Sequence, residues 1–175
     1  MAELLELSPA DLAGDLSLRT HTLLSNAFPE DAPNEGDYYR THGEPAAVLI
    51  LREAPHVLGH LALYLRRVRI GDETLEIGML GGIVVAPEHR GKGCSGVLVR
   101  HAHERLRVRR AQFSILFAYE PRVYASCGYK LMQNETCFID IDGRSKTLIY
   151  RGSMYAELAQ SWWPNLLLDL QGRVV

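Results

Sequence analysis

Cysteine is scarce in this chain. Cys94, Cys127 and Cys137 form no Cys-x-x-Cys pair and cannot all pair with one another. That excludes a disulfide-built scaffold and a cysteine-based zinc motif, and it points to a reducing, cytoplasmic setting. Long apolar runs are missing too, with none approaching the roughly 20 residues that a bilayer-crossing helix needs. The opening Met1-Ala2-Glu3-Leu4-Leu5-Glu6 carries acids where a secretory leader carries lysines, so no such leader is expected. Net charge is small: 19 Lys and Arg against 21 Asp and Glu leave −2. The bulk electrostatic case for a protein devoted to nucleic acid or an anionic membrane is thereby removed. What is present is ordinary globular composition, 47% hydrophobic and 23% charged, in 175 residues. Residues 1–175 are therefore expected to form one domain around one core.

The small net charge hides an asymmetry. Residues 1–45 hold nine acids and two bases, whereas residues 90–110 hold seven bases and the single acid Glu104. Two opposed patches suggest two sites with different electrostatic preferences.

Glu3 to Ser8 reads as an edge strand. Ser8 as N-cap with Pro9 at the first helical position predicts a helix from there, with Leu12, Leu16, Leu23, Leu24 and Ala27 on its apolar face. The polar, proline-containing stretch 28–37 is a loop, and Tyr38-Tyr39-Arg40 starts a short helix. Strands are expected at Ala46–Arg52, His60–Ile70 and Leu75–Val85, the last interrupted by Gly78 and by Gly81-Gly82. A loop over 86–93 opens a helix from Cys94 to Arg109, with Leu98, Ala102 and Leu106 on one face. Phe113–Ala118 is a buried strand, Pro121–Cys127 a short helix stopped by Gly128, and Tyr129–Met132, Thr136–Ile141 and Thr147–Tyr150 are further strands. Antiparallel strands followed by strand–loop–helix–strand give a mixed α/β (α+β) fold. Its single sheet is mixed, mainly antiparallel and flanked by helices.

The segment Ile83-Val84-Val85-Ala86-Pro87-Glu88-His89-Arg90-Gly91-Lys92-Gly93-Cys94-Ser95-Gly96 carries the most chemistry. A strand runs into a glycine-rich turn that opens a helix. The first-turn amides there lack intrahelical acceptors, and the helix dipole adds positive charge. Glycines let the backbone approach phosphate oxygens, and Arg90 and Lys92 add full charges, so the segment suits a pyrophosphate. Gly91-x-Gly93-x-x-Gly96 also satisfies the dinucleotide pattern, with Glu120 at ribose-contact distance in sequence. Against that reading, Ala86 to Arg90 separate strand from glycine, the preceding strands form a hairpin, and too little chain follows for a second half.

Arg90-x-x-Gly93-x-Ser95, approached through Val85-Ala-Pro-Glu-His-Arg-Gly-Lys-Gly93, resembles the coenzyme A pyrophosphate loop of the GNAT acyltransferases. Val123-Tyr124-Ala125-Ser126-Cys127-Gly128-Tyr129 is similar to that family's short helix leading to a Gly-aromatic pair. The resemblance runs from about Ala46 to Met132. Tyr-Ala-Ser-x-Gly-aromatic and the Ala27-Phe28-x-x-Asp31 stretch with Asp37 resemble the bacterial aminoglycoside 2'-N-acetyltransferases. The tail residues Trp163-Pro164, Asp169 and Gly172 are similar to the tails of those enzymes and of the nodulation N-acyltransferases. The acid that aminoglycoside enzymes carry on the fourth strand aligns with Gly81, a departure from that pattern.

The resemblance implies a GNAT-like fold and transfer of an acetyl group from acetyl-CoA, as cosubstrate, to the amine of a small, cationic acceptor by direct attack. Alternatives are a longer acyl donor and a non-catalytic acyl-CoA-binding module. The Gly81-Gly82 interruption would leave amides of Ile83, Val84 and Val85 for the pantetheine arm and thioester oxygen. Arg90, Gly91, Lys92, Gly93, Cys94, Ser95 and Gly96 would take the pyrophosphate. Tyr124 is the candidate general acid toward the departing thiolate, weighed against a merely packed aromatic. No base is assigned; Glu76, Glu120, His60 and water stay open. Asp31, Asp37 and Asp169 are candidate acceptor contacts because acids attract a cationic amine, weighed against solvated loop acids. A nucleophilic Cys94 has no placed histidine partner. His101 and His103, two residues apart on a helix, face different ways, so no metal site is expected. Trp162-Trp163 reads as tail packing. The expected partner is a small-molecule amine, with neither nucleic acid nor membrane, and a homodimer through sheet edges would suit the fold.

Overall fold

The computed structural model describes residues 1–32, 34 and 37–175, apart from the side chain of Asp37. Ten strands and four helices are found among them: β1 (Glu3–Leu7), α1 (Gly14–Ala27), α2 (Asp37–His42), β2 (Ala47–Glu53), β3 (His56–Ile70), β4 (Glu73–Val85), α3 (Cys94–Val108), β5 (Phe113–Phe117), α4 (Arg122–Ala125), β6 (Lys130–Leu131), β7 (Glu135–Ile139), β8 (Ser145–Ile149), β9 (Ser153–Glu157) and β10 (Leu168–Asp169). The sheet order is β6-β9-β5-β4-β3-β10-β7-β8, with β2 also pairing β3 and β1 pairing β2. Parallel pairing joins β4 to β5 and β10 to β7, and the other registered pairs are antiparallel. The mixed, mainly antiparallel sheet expected from sequence is the one observed.

The chain divides into two compact units: Met1–Tyr64 with Gly81–Ala102, and Leu65–Leu80 with His103–Val175. In the first, β2 runs Val48, Leu49 and Ile50 with no exposure, as a strand covered on both faces must. Its helix differs from expectation. Ser8 caps only a single 3-10 turn at Pro9–Asp11, accepting from the Asp11 amide at 3.3 Å. Leu12 then leaves in extended conformation to pack against Val48 and Ile50, and α1 restarts at Gly14, whose φ of 61° ends any continuity. Burying one leucine outweighs continuing a short helix. The buried face of α1 is Ser17, Thr20, His21 and Leu24, so its inward stripe is mainly polar while Leu18 faces solvent.

In the second unit, Phe113, Ile115 and Leu116 of β5 are buried between Met79–Leu80 of β4 and Met154–Ala156 of β9. Gly78 permits close helix approach, since a Cβ there would lie 2.3 Å from Leu106 Cδ1 of α3. Strands β9 and β10 were not expected from sequence. The tail is clasped by Asn134, which donates to the carbonyls of Pro164 and Leu166 and accepts from Trp163 Nε1 at 2.7 Å. Trp163 stacks on Tyr155 at 5.0 Å and meets Phe113 edge-on, as tail packing predicts, whereas Trp162 is 91% exposed.

Candidate active site

The glycine segment lies wholly in the first unit. The parallel register of β4 with β5 ends at Leu80, before the chain reaches Ile83, Val84 and Val85. At Gly82 the strand carries a positive φ of 57°, a backbone kink only glycine adopts freely. A Cβ there would also lie 2.9 Å from Tyr38 Cζ and 3.1 Å from His60 Cε1.

Beyond β4, the Ala86 amide donates to Leu58 O, and a 3-10 turn at Pro87–His89 redirects the chain. Arg90 braces the turn by donating from Nε to Val85 O at 3.2 Å. Gly91 and Gly93 follow with φ of 72° and 81°, and nothing stands within 4 Å of a Cβ at either. Glycine is required there by conformation, not by crowding. The Gly93 carbonyl accepts the Val97 amide at 3.1 Å, so α3 begins immediately and presents its first-turn amides. Arg100 adds a guanidinium next to Gly96, its Nη1 3.0 Å from a Cβ placed there. Cys94 Sγ donates to His89 O at 3.7 Å, a contact that packs the thiol onto the turn. The result is a cationic cradle of backbone amides flanked by Arg90, Lys92 and Arg100, suited to a pyrophosphate.

Also in the first unit is a buried constellation that sequence reading named only as one open option. His60 of β3 has no exposure. Its Nδ1 lies 2.8 Å from Gly82 O, and a carbonyl only accepts, so Nδ1 carries the hydrogen. Nε2 is then the lone pair, and it accepts from the Tyr39 hydroxyl at 2.7 Å. Burial pushes His60 down to about 4, so it is neutral at pH 7, and burial also raises the Tyr39 phenol. Tyr38 of α2 meets the His60 ring in a T-shaped contact at 6.2 Å, Tyr39 packs against it tilted at 6.0 Å, and His21 of α1 meets Tyr39 at 5.6 Å. A histidine inside an apolar strand was the available signal; its partners are 21 and 22 residues away in sequence.

The acids are only partly as expected. Asp31 is half-buried in the turn after α1, where its backbone carbonyl accepts from Thr41 Oγ1 at 3.2 Å. Asp37 opens α2, and its side chain lies outside the described residues. Among the described residues, several N-terminal acids are engaged within the fold: Glu3 with Arg52, Glu6 with His101, Asp11 with Ser8 and Asp15 with Arg19.

In the second unit, Tyr124 is half-buried in α4, and burial pushes its hydroxyl up to about 12. Its ring meets Tyr129 edge-on at 6.3 Å. The Tyr129 hydroxyl is fixed by Ser114 at 2.6 Å and His103 at 3.0 Å, a buried chain behind the candidate acid. Asp169 of β10 pairs with Arg69 at 3.2 Å and accepts the Gln171 amide at 2.9 Å, so its carboxylate secures the tail. His101 and His103 have separate partners. Among the described residues, no three His, Cys, Asp or Glu are grouped to hold a metal, and no helix is long and apolar enough to cross a membrane.

A strand with a glycine kink, running into an amide cradle at a helix start, is the architecture of coenzyme A-dependent acyltransferases. A family model described as an acetyltransferase (GNAT) domain matches residues 17–132, and the chain belongs to this family. Solved structures share the fold. The Escherichia coli GNAT family N-acetyltransferase YhbS, in complex with CoA, has a TM-score of 0.69 at 18% identity, over 97% of this chain and 89% of that one. A GNAT family acetyltransferase from Brucella melitensis, in complex with acetyl-CoA, has 0.63 at 20%, over 96% and 94%. A GCN5-related N-acetyltransferase from Anabaena variabilis has 0.63 at 19%, over 75% of this chain. The chain spans only 32% of that protein's length, and 33% of a matched protein from Enterococcus faecalis. No curated protein matches the chain in sequence.

Proposed function

We propose that residues 1–175 act as one domain that transfers an acetyl group from acetyl-CoA to the amine of a small, cationic acceptor by direct attack. The observation that carries this reading is the cradle at Arg90–Gly96, where two left-handed glycines and the start of α3 offer amides beside three cationic side chains. Arg90, Gly91, Lys92, Gly93, Cys94, Ser95 and Gly96 hold the pyrophosphate. The backbone of Ile83, Val84 and Val85 pairs with the pantetheine arm as an added strand would.

Direct attack joins the amine nitrogen to the thioester carbon and expels the thiolate. Tyr124 serves the sulfur. A phenol at about 12 keeps its hydrogen throughout the neutral range. Full transfer to a thiolate of pKa ~8.5 runs uphill by about 5 kcal/mol, so its main contribution is O–H donation to the charge developing on sulfur. Asp31 and Asp37 attract the cationic acceptor, whereas the pairing of Asp169 with Arg69 argues for a tail-anchoring part. The likeness to aminoglycoside 2'-N-acetyltransferases and nodulation N-acyltransferases suggests a polyamine-like or amino-sugar acceptor. The protein works in the cytoplasm, with no nucleic-acid or membrane partner, as a monomer or a sheet-edge homodimer.

The test is free-thiol release from acetyl-CoA with a panel of amines, amino sugars and polyamines. Amine-dependent release supports the reading. Tight acetyl-CoA binding without release on any amine overturns it in favour of a binding module, and release only with longer acyl donors reassigns the donor.

A further inference from the structure

The proposed reaction leaves one proton unaccounted for. The attacking amine must lose a hydrogen as its bond to the acyl carbon forms, and no exposed carboxylate has been placed to receive it. The buried constellation around His60 is arranged for that task. Three groups form one chain: Gly82 O accepts from His60 Nδ1–H at 2.8 Å, and His60 Nε2 accepts from Tyr39 O–H at 2.7 Å. The carbonyl fixes the imidazole tautomer, so the lone pair is held on the nitrogen that faces the phenol. The kink that turns this carbonyl toward the ring requires glycine twice over, by its φ of 57° and by the contacts a Cβ would make with Tyr38 and His60.

The two ends of this chain differ. His60 is inaccessible, whereas Tyr39 is only partly buried, on the helix that follows the acid-bearing loop. Gly82 directly precedes Ile83, Val84 and Val85, the backbone assigned above to the acyl donor. The chain therefore starts on the strand segment that holds the donor and ends on the helix beside the segment that receives the acceptor, all within one compact unit. Burial keeps the imidazole neutral at pH 7, so its lone pair is available.

We propose that Tyr39 and His60 form the proton path for the acceptor amine, Tyr39 touching the amine and His60 acting through Tyr39. As the nitrogen–carbon bond forms and the carbon–sulfur bond breaks, an amine proton passes to Tyr39 Oη while the Tyr39 hydrogen passes to His60 Nε2. The electron pair leaves with sulfur. The imidazolium, disfavoured by the same burial, returns the proton at once through Tyr39 to solvent water. The departing thiolate takes up one proton from solvent, so the reaction balances and the chain is left as it began. This inference rests on the acetyltransferase reading and supplies it with a base.

A purely structural chain would need only its hydrogen bonds, and glutamine at position 60 tests that difference. Its amide offers a donor for Gly82 O and an acceptor for Tyr39, but it takes up no proton. Tyr39→Phe keeps the ring and removes the relay. The experiment compares wild type, His60→Gln and Tyr39→Phe in steady-state thiol release, acetyl-CoA KM and melting temperature. The expected result is an approximately 10²-fold loss of kcat in each variant, with acetyl-CoA KM and melting temperature close to wild type. Turnover retained in both variants overturns the path. Turnover lost only in Tyr39→Phe overturns the part given to His60. A loss that tracks a rise in KM or a fall in melting temperature overturns the path in favour of a structural role. Absence of thiol release from the wild type on every amine is the separate failure of the acetyltransferase reading, and it removes this inference too.

Discussion

Tyr124 and Gly82 place opposite demands on a side chain. Tyr124 must keep its hydrogen and offer it, and burial that pushes the phenol up to about 12 secures the first demand. Tyr124→Phe keeps the ring against Tyr129 and removes only the donor. Turnover should fall by about 10²-fold while the KM for acetyl-CoA stays within about two-fold, measured by steady-state thiol release. Unchanged kcat would leave Tyr124 as packing. Gly82 must have no side chain at all. Gly82→Ala imposes a left-handed alanine, roughly 1–2 kcal/mol, and overpacking against Tyr38 and His60, roughly 1–3 kcal/mol. Urea denaturation should show a loss of about 2–5 kcal/mol, against a much smaller loss for Ala at Gly91, where a Cβ meets nothing within 4 Å. Equal effects at the two positions would sink the account of the kink.

At the scale of elements, strand, turn and helix from β4 to α3 were legible in the sequence because their chemistry is local. Glycines, an arginine and a helix start within one short stretch define a cradle without help from distant residues. The long apolar strands and the inward face of α3 were legible for the same reason. The first helix was not. Its start depended on whether Leu12 continued a turn or packed on β2, a choice decided by residues about 36 positions away. The short tail strand β10 was illegible too, because Asn134, Trp163 and Arg69 that hold the tail come from separate elements. His60 stood in plain view, but its meaning depended on Tyr39 and Gly82. The cradle offers a test at this scale. Gly93→Ala strains a φ of 81° without any clash, so the fold should survive while the amides move. Calorimetric titration should show CoA affinity reduced at least about ten-fold, and a donor truncated before the pyrophosphate should lose nothing further. Equal losses with both donors would show that the turn does not read the pyrophosphate.

Across the whole molecule, two of the buried histidines, His60 in the first compact unit and His103 in the second, are held neutral by their burial. Desolvation pushes both down to about 4, with the Arg107 guanidinium adding to the effect at His103. An unfolded chain holds its histidines near pKa 6.5, so it takes up protons before the folded one does. Stability from these residues is therefore complete above about pH 6.5 and is lost as pH falls toward 4, where the folded state also protonates. Each shift corresponds to a ceiling of about 3 kcal/mol, large against the roughly 5–15 kcal/mol that holds a typical domain folded. Asp140 and Glu53 are also lowered, by Lys146 and by the N-terminal ammonium, which moves these carboxylates further below the window in which histidines dominate. Denaturation free energy measured between pH 7.5 and 4.5 should fall steadily in the wild type. His60→Gln and His103→Gln should each flatten part of that slope, and the double variant should flatten most of it. A wild-type stability constant over this range would mean that water or relaxation solvates both imidazoles, and the neutral, lone-pair-bearing His60 on which the proton path depends would no longer stand.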